Sequence, residues 1–142
     1  MLFRSESVED AVQRGMLNLT QDTRLLGREI TRCTVVEGFG IARERHPILP
    51  SQVDWLLPHY SSEFFRQPVY DSFREIDFEV PFERWFTNLT SKGNTGSASI
   101  YIMLDELFRS GRLAVGQKIL CFVPESARFS AGYMLLSVEG PS

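Results

Sequence analysis

The sequence has 142 residues, a formal net charge of −3 and a hydrophobic content of 43%. This length suits one domain with a single core, and the acidic balance argues against a nucleic-acid binder, which is usually basic. No apolar run approaches the roughly 20 residues that a membrane-spanning helix needs, and the first residues lack the pattern of a signal peptide. We therefore expect a cytoplasmic globular protein.

The two cysteines, Cys33 and Cys121, both stand in apolar contexts. Reduced, buried thiols of a cytosolic protein fit this pattern better than a disulfide does. Neither cysteine has the electropositive surroundings that a reactive thiol needs. With two histidines and no Cys-x-x-Cys pair, the sequence offers no zinc site. We predict no metal site and no cofactor.

The chain opens with two predicted helices. Residues 6–17 are compatible with a short helix or with a lead-in segment, because apolar residues recur at steps of four but a glycine interrupts them. Residues 22–45 predict a long helix. Its predicted buried face comprises Leu26, Ile30, Cys33, Val36 and Gly40. Three glycines in this helix indicate either a close contact with a neighbouring element or a broken C-terminal end, and the sequence leaves both open.

A strand and a further helix follow. The apolar run at 53–57 predicts a strand that Pro58 ends, and an apolar strand after a helix favours a parallel sheet. His59 then lies just past the carboxyl end of the strand, where ligand groups collect in open α/β sheets. Residues 61–75 predict a helix that Pro68 kinks or shortens.

The second half predicts a strand, a helix and a hairpin. Residues 85–88 predict a short strand that leads into a polar, glycine-rich loop at 91–99. Residues 96–109 predict the clearest helix, because their apolar positions follow one helical face. The strands at 119–123 and 131–138 lie close together, which predicts an antiparallel pair at a sheet edge. This order of elements indicates a layered α/β domain with a mixed sheet.

Two polar residues are candidates for chemistry. His59 is compatible with a hydrogen-bond donor or base in a pocket, and equally with a satisfied surface or core histidine. Asn94 lies between a glycine and a threonine just before a helix, which is typical of a cap or turn residue. Its alternative role is a side-chain amide donor in a preorganised pocket, although spacing alone favours the cap. A stripe of phenylalanines is interpreted as core, which remains compatible with a lipid pocket.

Several of these stretches together resemble a known family. They are Leu57-Pro58-His59, Trp85-Phe86-Thr87-Asn88, Gly93-Asn94-Thr95-Gly96-Ser97-Ala98-Ser99-Ile100 running into Leu104-Asp105-Glu106, and the turn 111–117. From about residue 20 to 138, the chain resembles the C-terminal half of 3-oxoacyl-acyl-carrier-protein synthase III, a condensing enzyme. The resemblance implies a single domain over 1–142 with a lead-in up to about residue 20. The implied fold is an α/β, thiolase-like half-domain with a five-stranded mixed sheet between helices, ending in an antiparallel strand pair.

The resemblance also implies functional residues. His59 and Asn94 match the histidine and asparagine that stabilise the enolate left when a malonyl thioester loses carbon dioxide. Gly93, Thr95 and Ser126 are the implied substrate-binding residues. The family's nucleophilic cysteine belongs to an N-terminal half that has no counterpart here, so this chain alone is not expected to condense an acyl thioester with malonyl carrier protein.

Two stretches depart from the family. Residues 60–62 read Tyr-Ser-Ser where the family usually has Gln-Ala-Asn, and residues 124–128 replace a glycine-rich loop that borders the acyl site. These departures favour a specialised condensing enzyme outside housekeeping fatty-acid initiation, for example in polyketide or other secondary metabolism. They also motivate an alternative, a non-catalytic partner or scaffold subunit of a ketosynthase heterodimer.

The resemblance also implies partners. They are acyl carrier protein or coenzyme A thioester substrates, and the N-terminal half of the same enzyme. A free half-domain exposes apolar surface, which favours a homodimer or larger species.

Overall fold

The computed structural model describes residues 7–15 and 22–140. The helices are α1 (Val8–Gln13), α2 (Thr23–Thr31), a π-helical segment (Arg32–Phe39), α3 (Gly40–Arg45), α4 (Arg66–Glu75), α5 (Leu89–Lys92) and α6 (Ser99–Arg109), and the strands are β1 (Trp55–Pro58), β2 (Lys118–Glu125) and β3 (Ser130–Ser137). Short 3-10 turns span Pro50–Gln52, Glu63–Phe65, Phe82–Arg84 and Gly96–Ala98. Within the described ranges, no helix combines the length and the apolar character that a bilayer crossing requires.

The sheet has the order β1-β2-β3, with β1 parallel to β2 and β2 antiparallel to β3. This arrangement confirms the predicted mixed sheet between helices and its terminal antiparallel pair. In the described part of the chain the sheet has three strands, whereas the resemblance implies five. The predicted strand at 85–88 is wrong, because only Trp85 forms an isolated parallel bridge, to Leu56.

Side-chain hydrogen bonds explain why residues 85–88 leave the sheet after one bridge. The indole nitrogen of Trp85 donates to the Val80 carbonyl oxygen at 2.8 Å. Three residues later the amide of Asn88 donates to the Glu106 carboxylate of α6 at 2.7 Å. The chain therefore turns towards α6 and enters α5 instead of extending along β1.

The predicted helix at 22–45 is confirmed as the continuous run of α2, the π-helical segment and α3. Its buried face differs from the predicted one, because of the five predicted residues only Ile30 is buried. Leu26, Cys33, Val36 and Gly40 are partly buried. The residues buried in the π-helical segment are Thr34, Val35 and Phe39. A π-helical turn pairs residues five apart, which moves the buried positions away from those of an ideal α-helix. The Tyr133 hydroxyl of β3 donates to the Thr34 carbonyl and ties this segment to the sheet.

Within the described residues, the glycines of this run mark no close contact with another element. A Cβ at Gly38 would lie 3.1 Å from the carbonyl oxygen of Cys33, inside the same helical run. Gly27 and Gly40 have nothing within 4 Å of such an atom. The helix continues to residue 45, so neither sequence-based explanation of the glycines holds.

The predicted helices at 6–17 and 61–75 are shorter in the described residues than expected. Over the described part of 6–17, α1 spans Val8–Gln13 and is capped by the Ser7 hydroxyl; residues 6, 16 and 17 lie outside the described ranges. The helix predicted at 61–75 begins as the 3-10 turn Glu63–Phe65 and continues as α4. Pro68 lies in the first turn of α4, where a missing N–H costs little.

Two hydrophobic clusters cover the two faces of the sheet, because successive strand residues point to opposite faces. The first cluster packs the long helical run and α4 against Leu56, Leu120 and Phe122. The second packs α6 against Leu57, Ile119 and Cys121. Trp85 belongs to the first cluster and Trp55 to the second. Cys121 is buried as predicted, and its burial raises the pKa of the thiol to about 12.

Candidate active site

A cavity of about 410 Å³ lies beside the carboxyl end of β1. Its apolar wall comprises Leu26, Ile30, Phe65, Val69, Phe122 and Val123. His59, Asn94 and Ser126 line the same cavity, although they come from three separate segments of the chain. The structure therefore brings together three of the five residues that the sequence singled out.

His59 is held at the cavity by its own backbone. Its N–H donates to the Phe122 carbonyl at 2.8 Å, which extends the parallel pairing of β1 and β2 by one residue. The side chain is half-buried and makes no hydrogen bond within the described residues. Burial lowers the pKa of His59, so the imidazole is neutral at pH 7. A neutral imidazole has one nitrogen that donates and one that accepts.

Asn94 lies in a turn that its own side chain closes. Gly93 has φ +72°, a backbone conformation that favours glycine. The Asn94 side-chain oxygen accepts from the Gly96 N–H at 2.9 Å. The turn role of Asn94 is thus confirmed. Its amide nitrogen makes no hydrogen bond to any described residue, so it is available to donate to a ligand in the cavity.

The neighbours of Asn94 support the loop. The Thr95 N–H donates to the Ser99 hydroxyl at 3.3 Å, and the two hydroxyl oxygens lie 2.9 Å apart. Gly93 and Thr95 do not line the cavity, whereas Gly96 and Ser97 do. The predicted contact of Gly93 and Thr95 with substrate stays a prediction.

Residues 124–126, in the stretch that departs from the family pattern, form the lip of the cavity. Pro124 and Glu125 still belong to β2, and together with Ser126 they line the cavity. The two Glu125 carboxylate oxygens accept from the N–H groups of Ala127 and Arg128 at 2.8 and 2.9 Å. The glutamate therefore caps the hairpin turn and stiffens this lip. The sequence alone did not predict this role of Glu125.

Other cavity residues were missed by the sequence analysis. Thr31 and Thr34 line the cavity from the long helical run, where nothing in the sequence distinguishes them from other polar helix positions. Tyr60 also lines it, is 3% exposed, and has a hydroxyl with no hydrogen-bond partner in the described residues. Burial raises the pKa of Tyr60. Of the phenylalanine stripe, Phe73 is core as interpreted, whereas Phe65 forms part of the cavity wall.

Comparison with known proteins gives matches to one family. A family model described as "3-Oxoacyl-[acyl-carrier-protein (ACP)] synthase III C terminal" matches residues 35–138. A Beta-ketoacyl-[acyl-carrier-protein] synthase III of Prochlorococcus marinus is 32% identical over 112 residues, which cover 77% of this chain. The enzyme of the same name from Microcystis aeruginosa is 35% identical over 112 residues, again 77% of this chain.

Solved structures show the same fold. The crystal structure of 3-oxoacyl-(acyl carrier protein) synthase III from Pseudomonas aeruginosa PAO1 superposes with a TM-score of 0.67 and 20% identity. The match covers 98% of this chain and 39% of that structure. The match to the two curated relatives covers 30% and 31% of their lengths. The chain therefore spans less than a third of either curated relative.

Proposed function

This chain belongs to the 3-oxoacyl-[acyl-carrier-protein] synthase III family as its C-terminal half, and we propose that it supplies His59 and Asn94 as the hydrogen-bond donors of a decarboxylative condensation. One observation carries the proposal: the two side chains line one cavity, and neither the imidazole nor the amide nitrogen is bonded to a described residue. Two fixed donors that converge on one cavity are what a developing oxyanion needs.

The proposed chemistry starts from a malonyl thioester in the cavity. The bond between its carboxylate and its α-carbon breaks, carbon dioxide leaves, and the electron pair passes to the thioester oxygen as an enolate. His59 and Asn94 donate to that oxygen and stabilise its charge. The α-carbon then attacks an acyl group held as a thioester on a cysteine, and the cysteine thiolate leaves. In this proposal the cysteine belongs to an N-terminal half outside this chain.

The cavity walls agree with a thioester substrate. Most of the residues that α2 and α4 contribute to the cavity wall are apolar, namely Leu26, Ile30 and Val69, which suits the aliphatic part of an acyl or carrier arm. We propose that the substrates are acyl carrier protein or coenzyme A thioesters. Residues 1–142 would then act as one domain of a longer enzyme that also forms homodimers.

The test is a pair of substitutions in the complete polypeptide that carries this chain. We expect His59→Ala and Asn94→Ala each to slow malonyl-thioester decarboxylation about 10²–10³-fold, because one such donor is worth roughly 3–4 kcal/mol. His46→Ala is the matched control, since His46 is exposed at the end of α3 and is not among the residues that line the cavity. Unchanged decarboxylation in both cavity variants would contradict the site assignment.

A second candidate is a non-catalytic partner subunit of a ketosynthase heterodimer. The charged lip at Glu125 and the buried Tyr60 support it, because both change the cavity relative to the family pattern. The mass of the native polypeptide separates the two candidates. A chain about three times this length, or a tightly held second chain with a reactive cysteine, supports the enzyme. A lone 16.3 kDa chain supports the non-catalytic subunit.

A further inference from the structure

We propose that Glu106 is a positioning residue for Asn94: it anchors the short helix α5, which leads into the turn that holds the Asn94 amide. This inference rests on the proposed function, since it concerns the aim of one of the two donors. Glu106 lies on α6 and is absent from the cavity wall, so any effect on chemistry must pass through its contacts.

Both oxygens of the Glu106 carboxylate are used by α5. One accepts from the Asn88 side-chain amide at 2.7 Å, and the other lies 3.3 Å from the Lys92 ammonium. Asn88 is 9% exposed, so its hydrogen bond is largely shielded from water, whereas the Lys92 pair is half exposed and contributes little. The Glu106 carboxylate therefore contacts Asn88, just before α5, and Lys92, at its end.

Backbone hydrogen bonds connect α5 to the turn that contains Asn94. The Lys92 N–H donates to the Asn88 carbonyl at 2.8 Å, and the Gly93 N–H donates to the Leu89 carbonyl at 2.8 Å. Gly93 then reverses the chain with φ +72°, and Asn94 follows. A shift of α5 along α6 would therefore move Asn94 by a similar amount.

The surroundings of Glu106 favour the charged form of its carboxylate. The hydrogen bond from Asn88 is the main cause that lowers the pKa of Glu106, and Lys92 adds to it. Asn88 makes no capping bond to α5 with its side chain, although asparagine is a favoured cap. Its amide is committed to Glu106 instead, so the bond serves the placement of α5 on α6 and not the local stability of α5.

The experiment exchanges the two partners of the central hydrogen bond in the complete polypeptide. Asn88→Asp replaces the donor amide with a second carboxylate, and the repulsion between the two like charges weakens the contact between α5 and α6. Glu106→Gln keeps an oxygen that accepts from Asn88. The double variant Asn88→Asp/Glu106→Gln remakes the bond with donor and acceptor exchanged. We expect decarboxylation kcat to fall about 10- to 100-fold in Asn88→Asp, with little change in KM, and to recover to within about threefold of Glu106→Gln in the double variant.

A matched control and a second readout separate positioning from general stability. Asp71→Asn alters another carboxylate that accepts from a side-chain amide, that of Gln67 at 2.9 Å, on the exposed face of α4, and we expect it to leave kcat unchanged. The second readout is hydrogen exchange at the Gly96 N–H, which the Asn94 side chain holds. We expect this exchange to speed up in Asn88→Asp and to slow again in the double variant.

The outcomes divide as follows. Unchanged kcat and exchange in Asn88→Asp, or a double variant no better than Asn88→Asp, overturns the positioning role. If Asn94→Ala leaves decarboxylation intact, the proposed donor fails instead. In that case the exchange at Gly96 still decides, on its own, whether Glu106 holds the turn.

Discussion

The two faces of the sheet are packed to different degrees. The first cluster is covered by the long helical run and by α4, and it contains a group of aromatic rings in mutual contact. Within the described residues, α6 is the helix that covers the second cluster, and its opposite side carries Tyr101 and Phe108 at 65% and 74% exposure. One face is thus closed by this chain, while the helix on the other face still has an apolar side open.

This difference indicates which surface would pack against another domain, namely the outer side of α6. The chain spans less than a third of the two curated relatives described above, and an exposed apolar helix face is typical of a surface that packs against another domain or subunit. The cavity lies on the closed face, between the helical run, α4 and the lip. We therefore expect the cavity walls to be more rigid than the outer side of α6.

The largest expected effect concerns the closed face. Phe73 is fully buried and its ring centroid lies 5.3, 5.9 and 5.8 Å from those of Phe39, Phe78 and Phe122. We expect Phe73→Ala to lower the free energy of unfolding by about 3–5 kcal/mol, because the surrounding rings cannot fill the void that the lost side chain leaves. Chemical denaturation measures this loss. A loss below about 1 kcal/mol would show that this face is loosely packed.

The next effect concerns the inner side of α6. Leu107 is fully buried against the sheet. We expect Leu107→Ala to cost about 2–3 kcal/mol, in the lower part of the usual range, because solvent on the far side lets α6 settle into the space. The same denaturation experiment gives the value. A cost above that of Phe73→Ala would reverse the comparison of the two faces.

Substitutions on the outer side of α6 should affect self-association and leave the stability of the fold unchanged. We expect the double variant Tyr101→Ser/Phe108→Ser to change the free energy of unfolding by less than about 0.5 kcal/mol, and to reduce self-association of this chain in sedimentation. Phe64→Ser is the control, since Phe64 is equally exposed but lies just before α4. If Phe64→Ser dissociates the chain equally well, the α6 face is not the contact.

The smallest expected effect is a shift in the pKa of His59, which reports how far the cavity excludes water. Burial lowers the pKa of His59 from 6.5, so the folded protein takes up this proton less readily than the unfolded chain. Stability should therefore fall as the pH drops through 6.5 towards the lower folded pKa. NMR titration of a His46→Gln variant, in which His59 is the only histidine, measures the folded pKa directly. A midpoint at or above 6.5 would mean that water enters the cavity freely.

Much of the fold could be predicted from local sequence pattern. The helix at 96–109 and the last two strands were placed within a few residues, because α6 and β2 each have a regular apolar pattern. The π-helical segment could not be predicted, because the sequence was interpreted with the spacing of an α-helix. That spacing does not place Val35 and Phe39 on the buried face. Residues 85–88 failed for another reason: a tertiary bond from Asn88 to Glu106 overrides the strand propensity of Trp85.

The site was predicted only in part. The position of His59 followed from a general rule about strand ends, and Asn94 was recognised through its motif. The sequence could not show that Glu125 folds back on the next two backbone amides, or that Gly96 and Ser97 line the cavity in place of Gly93 and Thr95. Such details depend on the close approach of distant segments, which no local period records.

The placement of the two tryptophans gives each face of the sheet its own fluorescent reporter. Trp85 lies within the first cluster, and its indole N–H is bonded to the Val80 carbonyl. Trp55 lies in the second cluster, where the Arg112 guanidinium stacks 4.3 Å from its ring. Because the chain has no other tryptophan, replacing either one leaves emission from a single face. A change in the packing of α6 on the sheet would then be visible in the Trp55 signal, and a change in the packing of the first cluster in that of Trp85.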